Sequence, residues 1–218
     1  MNTIARGIIG LSAIGSVVGG GFAASHYLST DNIESKLKAN GYQLLDKGSA
    51  DWNAILTSYS KSSSLKFEGF DGTTSGSSTN TKPVDVLKQK CEEALKFNLS
   101  KKDDKDLYKK AEKWCIKPQS VVERLKYLGF EKLDTTTANP EGDKDDAWDT
   151  KLSEHKVAKE NKLAEITTDI EKKPNKEQRP VIKKACAEIF KKKTYEQEYE
   201  DSLAKAKLWC SNETEKTK

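Results

Sequence analysis

Apolar residues in this chain recur in short stripes of helical period, and the order of the stripes is written twice. Ile33-Glu34-Ser35-Lys36-Leu37-Lys38-Ala39-Asn40-Gly41-Tyr42 returns as Val121-Val122-Glu123-Arg124-Leu125-Lys126-Tyr127-Leu128-Gly129-Phe130. Each copy then reaches Leu-Asp, at Leu45-Asp46 and Leu133-Asp134. Asp51-Trp52-Asn53 is echoed by Ala147-Trp148-Asp149, with Leu56 and Leu152 one helical turn after each Trp. Leu87, Cys91 and Leu95 return as Ile182, Cys186 and Phe190, and Ala111, Trp114 and Cys115 as Ala206, Trp209 and Cys210. All four Trp and all four Cys fall into matched pairs in the same order. Leu87, Cys91 and Leu95 are spaced to line one helix face, as are Leu107, Ala111 and Cys115. Self-similarity of this length marks a duplicated supersecondary unit.

The local signals at these positions are helical. Ser120-x-x-Glu123 is a capping box, in which hydroxyl and carboxylate satisfy free N–H groups at a helix start. Gly129 ends that helix and Phe130 packs back on Leu125. Asp31-x-x-Glu34, Gly41, and Tyr42 over Leu37 repeat the scheme in the first copy. Thr194-x-x-Gln197 marks the start of the last helix. Each repeat therefore predicts a short first helix, a Trp-bearing helix and a pair of helices carrying the cysteines. The insertions differ. Lys61 to Thr81, with its Gly-, Ser- and Thr-rich centre, predicts a mobile loop that carries little stability, within which Leu65-Lys66-Phe67 fits a brief extended segment. Thr135 to Asp146 is a Pro-, Gly- and acid-rich stretch.

The first residues obey another pattern. Ile8 to Ala24 are uncharged, with Arg6 before them and Asp31 and Glu34 after. Extended to Leu28, this segment reaches the length of a bilayer-spanning helix, and the positive-inside rule exports the rest of the chain beyond it. Gly15-x-x-x-Gly19 would allow self-association within the bilayer. Ala23-Ala24-Ser25 also fits a signal-peptide cleavage site. The expected organisation is residues 1–29 as anchor or signal, 30–117 as the first helical repeat and 118–218 as the second: an all-α chain with an N-terminal transmembrane helix and flexible loops. Lipid would be met through residues 4–28, in a single-pass cell-membrane protein with its C-terminal ectodomain outside.

Composition sharpens this picture. The 218 residues are 33% charged and 35% hydrophobic, and the mean hydropathy is −0.78, which suits narrow apolar stripes on solvated helices. The net charge of +4 arises from 38 basic and 34 acidic residues. They are interleaved, as in Lys101-Lys102-Asp103-Asp104-Lys105-Asp106, rather than gathered into the basic patch a nucleic-acid binder needs.

In an exported chain, two cysteine pairs with the same 23-residue gap suggest two structural disulfides. Four cysteines permit three pairings. Cys91–Cys115 and Cys186–Cys210 are favoured because a duplicated unit should carry its own bridge; cross-repeat pairing and four free thiols stay open. An unbroken helix would hold each pair about 36 Å apart, so the two helices must fold back. Equal arms put the turns near Asp103 and Glu198. Each bridge would stabilise its unit by roughly 3.5 kcal/mol in the chain-entropy description.

Catalytic, metal and cofactor chemistry find no foothold. There is no C-x-x-C, the only histidines are His26 and His155, and the carboxylates are too numerous and too neutralised by Lys to nominate a pair. His155 aligns with Tyr59 and reads as a packing or surface residue. No Gly-rich phosphate loop is present, and the Trp residues read as core.

The Gly-rich apolar start, Asp51-Trp52-Asn53-Ala54-Ile55-Leu56, and the Cys then Ala-x-x-Trp-Cys arrangement at Ala111-Glu112-Lys113-Trp114-Cys115 resemble a class of paralogous surface proteins of haemotropic mycoplasmas. The resemblance covers nearly the whole chain. It implies a membrane protein that faces host blood cells directly, with host surface proteins as the expected partner class, and it supplies no catalytic or binding residues. The expected function is a non-enzymatic, membrane-anchored surface protein in host contact or antigenic diversity; the alternative is a structural or assembly subunit acting through the Gly15/Gly19 anchor.

Overall fold

The computed structural model describes residues 32–73, 81–99, 104–136 and 145–214. The anchor expected over residues 4–28, with Gly15 and Gly19, lies outside them. Among the described residues no helix is long and apolar enough to cross a membrane. The chain is mainly helical: α1 (Ile33–Ala39), α2 (Asp51–Lys61), α3 (Pro83–Leu95), α4 (Lys105–Trp114), α5 (Val121–Tyr127), α6 (Asp146–Val157), α7 (Thr168–Glu171), α8 (Asn175–Lys191) and α9 (Tyr199–Lys205), the last running into a π-helical turn, Ala206–Cys210. Two short strands, β1 (Phe130–Lys132) and β2 (Ser211–Glu213), pair antiparallel with Lys132 opposite Ser211.

Helix ends obey local chemistry, with two corrections. Ser120 and Glu123 form the full capping box of α5. Gly41 and Gly129 adopt φ of +78° and +80°. Tyr42 N–H then reaches Leu37 O at 3.0 Å and Gly41 N–H reaches Lys38 O at 3.0 Å, which closes α1 in a Schellman turn. The cap of α1 is Asn32, one residue later than the expected Asp31, with its side chain accepting from Ser35 N–H at 2.9 Å. Asn has the same short acceptor as Asp, so pattern alone cannot separate the two registers. The second correction concerns Thr194, which does not start the last helix. Its N–H donates to Gln119 O at 3.0 Å and its hydroxyl accepts from Gln119 N–H at 3.4 Å. Helix α9 begins after Glu198, and α4 after Asp104, close to the equal-arms expectation.

The two halves share a backbone hydrogen-bond scheme. Ile33 N–H donates to Phe97 O and Val121 N–H to Lys192 O; Leu45 N–H donates to Cys115 O and Leu133 N–H to Cys210 O. The isolated bridges Asn32–Asn98 and Ser120–Lys193 occupy matched places, and Leu44–Ile116 matches the Lys132–Ser211 pair of the small sheet. Each tryptophan donates its indole N–H to a matched carbonyl. Trp52 and Trp148 reach Asp46 O and Asp134 O at 2.8 and 3.1 Å. Trp114 and Trp209 reach Leu65 O and Asn161 O at 2.7 and 2.6 Å. Leu65 and Asn161 both hold positive φ, 55° and 56°. Burial obeys the same division, with one apolar cluster from Ile33 to Ile116 and another from Val121 to Cys210.

The expectation that Lys61 to Thr81 is mobile and energetically light fails for its first part. Residues 62–73 fold over α2: Phe67 and Phe70 are buried, and Lys66 Nζ donates to Ser60 O and Asp71 O at 3.0 and 2.9 Å. The three residues Leu65-Lys66-Phe67 form no strand. The physical reason is Tyr59, whose hydroxyl accepts from Phe67 N–H at 2.7 Å and donates to Phe70 O at 2.9 Å. One side chain supplies the partners that a loop of polar composition lacked in sequence. Residues 74–80 and 137–144 of the two insertions lie outside the described residues.

Candidate functional site at the seam between the repeats

The sequence-predicted site residues come together in pairs. Cys91 on α3 and Cys115 after α4 lie at disulfide distance, as do Cys186 on α8 and Cys210 in the π-helical turn, with Cα–Cα separations of 5.4 and 5.5 Å. Both bridges are buried and both stay within one repeat, so the helices of each pair do fold back on each other. Among the described residues no three His, Cys, Asp or Glu side chains converge as metal ligands.

A cluster that sequence reasoning missed lies where the repeats meet. The last carbonyls of a helix have no partner within it, and those closing α1 are satisfied by the second repeat. Arg124 Nη1 donates to Asn40 O at 2.7 Å, Tyr127 OH to Ala39 O at 3.2 Å and Gln119 Nε2 to Gly41 O at 3.2 Å. A cation is favourable at this end of the helix dipole. The Arg124 guanidinium is almost fully buried and stacks on the rings of Tyr42 and Tyr127, 4.0 and 4.8 Å from their centroids, a cation–π arrangement strengthened by desolvation. Farther along, Ser58 Oγ donates to Tyr195 O at 2.7 Å and Lys113 Nζ to Glu196 O at 3.2 Å.

Titratable groups from both repeats surround Arg124. The Glu112 carboxyl interacts with the phenols of Tyr42 and Tyr108, and Asn40 Nδ2 donates to Tyr108 OH at 2.8 Å. Burial pushes Glu112 above the usual carboxylate range and the charge of Glu200 adds to this, while Tyr42, Arg124 and Lys109 oppose it. Burial raises the Tyr108 phenol to about 12 and pushes those of Tyr42 and Tyr199 higher still. The Tyr199 hydroxyl is buried with no hydrogen-bond partner among the described residues. A raised carboxyl among phenols could exchange protons. Its neighbours are nevertheless committed: Arg124 and Tyr127 close α1, the Tyr42 ring stacks under Arg124, and the Tyr108 hydroxyl accepts from Asn40. Chemically this is a joint between the repeats.

A second buried titratable group is His155, which is fully buried rather than at the surface. Its Nε2 accepts from Leu163 N–H at 2.9 Å, its Nδ1 lies 3.4 Å from Glu171 Oε1, and its ring meets Trp209 edge-on at 5.0 Å. Glu171 also takes Lys162 Nζ at 2.8 Å. The signal for this role was present in sequence, since His155 aligns with Tyr59 and Tyr59 meets Trp114 edge-on at the same 5.0 Å. For the Arg124 cluster no such signal exists, because Arg124 and Tyr199 reach Tyr42 and Glu112 only through the docking of the repeats. The chain matches no protein-family model, no curated protein and no solved structure.

Proposed function

We propose that this chain is a non-enzymatic surface protein, held to the cell membrane by its N-terminal apolar segment, whose exported part is a rigid scaffold of two stapled helical repeats that meets host components. The observation that carries the reading is the pairing of all four cysteines at disulfide distance within their own repeats. Such bridges persist in oxidising surroundings, which supports a location outside the cytoplasm. The buried indoles, the cysteines, Tyr59, His155 and Arg124 are all engaged in holding the fold. Polar loops and charged helix faces are left as the groups able to meet a partner, and such loops tolerate change without harming a core. The resemblance to surface proteins of haemotropic mycoplasmas adds the host as the partner class.

Protease treatment of intact cells tests the location: the repeats should be digested and a small membrane stub should remain. A chain wholly protected until lysis, or one whose cysteines all alkylate without reduction, would overturn the reading. Capture of host membrane proteins by the oxidised full-length chain, and loss of that capture on reduction, tests the partner class.

A further inference from the structure

We propose that His155 makes the second repeat an acid-released latch: protonation of its imidazole frees the loop over residues 158–167, while the first repeat, with Tyr59 in the same place, stays closed. The two side chains do one job with different chemistry. Each lies on the buried face of the Trp-bearing helix, each meets the second Trp of its repeat edge-on, and each accepts a backbone N–H from the loop, Phe67 for Tyr59 and Leu163 for His155. A phenol hydroxyl accepts and donates at once, and Tyr59, raised by burial to about 12, keeps its proton across the physiological range. An imidazole nitrogen accepts only while it carries no hydrogen.

The hydrogen bond from Leu163 therefore requires the neutral form with its hydrogen on Nδ1, which faces Glu171. Protonation places a second N–H on Nε2, pointing at the N–H of Leu163. Two donors then oppose each other where the side chain has no exposure to water, and the bond must break. The charged groups that face the ring are Lys162 of the loop and Glu171 of α7. Trp209 of the π-helical turn is neutral, and the Arg179 and Lys183 side chains of α8 are engaged with Asp149 and Asp145, earlier in the chain at the start of α6. Burial and Lys162 hold the imidazole below its ordinary range, with Glu171 opposing.

This depression sets the sign. An opened loop exposes an imidazole that takes up its proton near pH 6.5, whereas the closed loop resists protonation until lower pH. Closure is thus fully favoured above about pH 6.5 and weakens as the pH falls below it, by up to about tenfold per unit. Opening would remove the buried Leu163 and Ile166 and the carbonyl of Asn161 that Trp209 donates to. The Cys186–Cys210 bridge would keep α8 and the π-helical turn together, so the release is local.

The test is amide protection in the oxidised full-length chain, corrected for intrinsic exchange, between about pH 7.5 and about pH 5, the range in which histidine titrates. Protection of Leu163 should fall on acidification while that of Phe67 holds. In H155Y the Leu163 response should vanish, and in Y59H a matching response should arise at Phe67. Should either variant fail to fold, the wild-type imidazole titration decides, with H26N separating the signal of the other histidine. His155 taking up its proton together with the loss of Leu163 protection supports the latch. Protonation with the amide still protected overturns it, as does a Leu163 response that is flat across this range or unchanged in H155Y.

Discussion

The first repeat and the second repeat share a backbone hydrogen-bond scheme but carry different side chains. Around the helix that bears the first Trp, the first repeat is aromatic: Tyr59 stacks against Phe67 and Phe70, at 6.2 and 5.2 Å, and meets Trp114 edge-on. The matched places in the second repeat carry His155, Leu163 and Ile166, and the region is tied instead by ions. Arg179 grips Asp149 through both Nε and Nη2, at 2.8 and 2.5 Å, and Lys183 reaches Asp145 at 3.0 Å. Tyr42 with Glu112 in the first repeat is replaced by Phe130 under the ammonium of Lys207 at 5.1 Å in the second. Other pairs are kept: Lys88 over Trp52 and Lys183 over Trp148, at 5.9 and 6.0 Å. The difference teaches what the unit requires. Indole-to-carbonyl bonds, the two cysteines and the backbone bridges occur in both; the side chains between them vary in chemistry while filling similar places.

The tryptophans offer the largest test. W114A and W209A should each cost about 3–5 kcal/mol, the range for removing a buried indole. Each would also orphan a matched carbonyl, at Leu65 or Asn161. Chemical denaturation of the two variants should give similar losses; a large inequality would mean that the aromatic and aliphatic surroundings are not equivalent.

The bridges come next. The loops they close are equal, with a separation of 24 residues in each case. C91S/C115S and C186S/C210S should therefore lose similar stability, roughly 3.5 kcal/mol each if chain entropy dominates. Unequal losses in thermal unfolding would assign the difference to packing of α3 on α4 against α8 on α9.

Glycines at the ends of α1 and α5 sharpen the comparison further. Both hold the left-handed conformation, so Gly129→Ala should cost about 1–2 kcal/mol, the penalty for an L-residue there. Its added methyl would meet only Thr214 Oγ1, at 3.6 Å. At Gly41 the same methyl would enter the Tyr127 ring and force the seam apart, so Gly41→Ala should cost more than Gly129→Ala. Equal melting temperatures for the two variants would show that Tyr127 yields freely and that the seam is soft.

The smallest expected effect is a change of slope. The carboxyl of Glu112 is raised in the folded chain, so its stabilising share is fully present below the ordinary carboxylate range and declines as the pH rises through its folded value. E112Q should remove that decline. Acidification acts in the opposite sense at His155, below about pH 6.5, so the stability profiles of E112Q and H155Y should change slope in opposite directions.

Much of this molecule was legible along the chain. The duplication, the helix faces, the Ser120 box, the Gly41 and Gly129 stops and the pairing of Cys91 with Cys115 and Cys186 with Cys210 rest on spacing within a repeat, and spacing is a property of sequence. Asn32 in place of Asp31 shows the limit of pattern, since two adjacent residues offer the same acceptor and only the path of the chain selects one. Residues 62–73 show another limit: their order comes from a hydroxyl on α2, and composition says nothing of what lies across from a loop. The Arg124 joint depended wholly on tertiary structure, because the carbonyls at the end of α1 and the guanidinium that satisfies them are 84 residues apart. The local pattern determines that α1 must end in unsatisfied carbonyls; which side chain arrives to meet them is decided by how the second repeat docks.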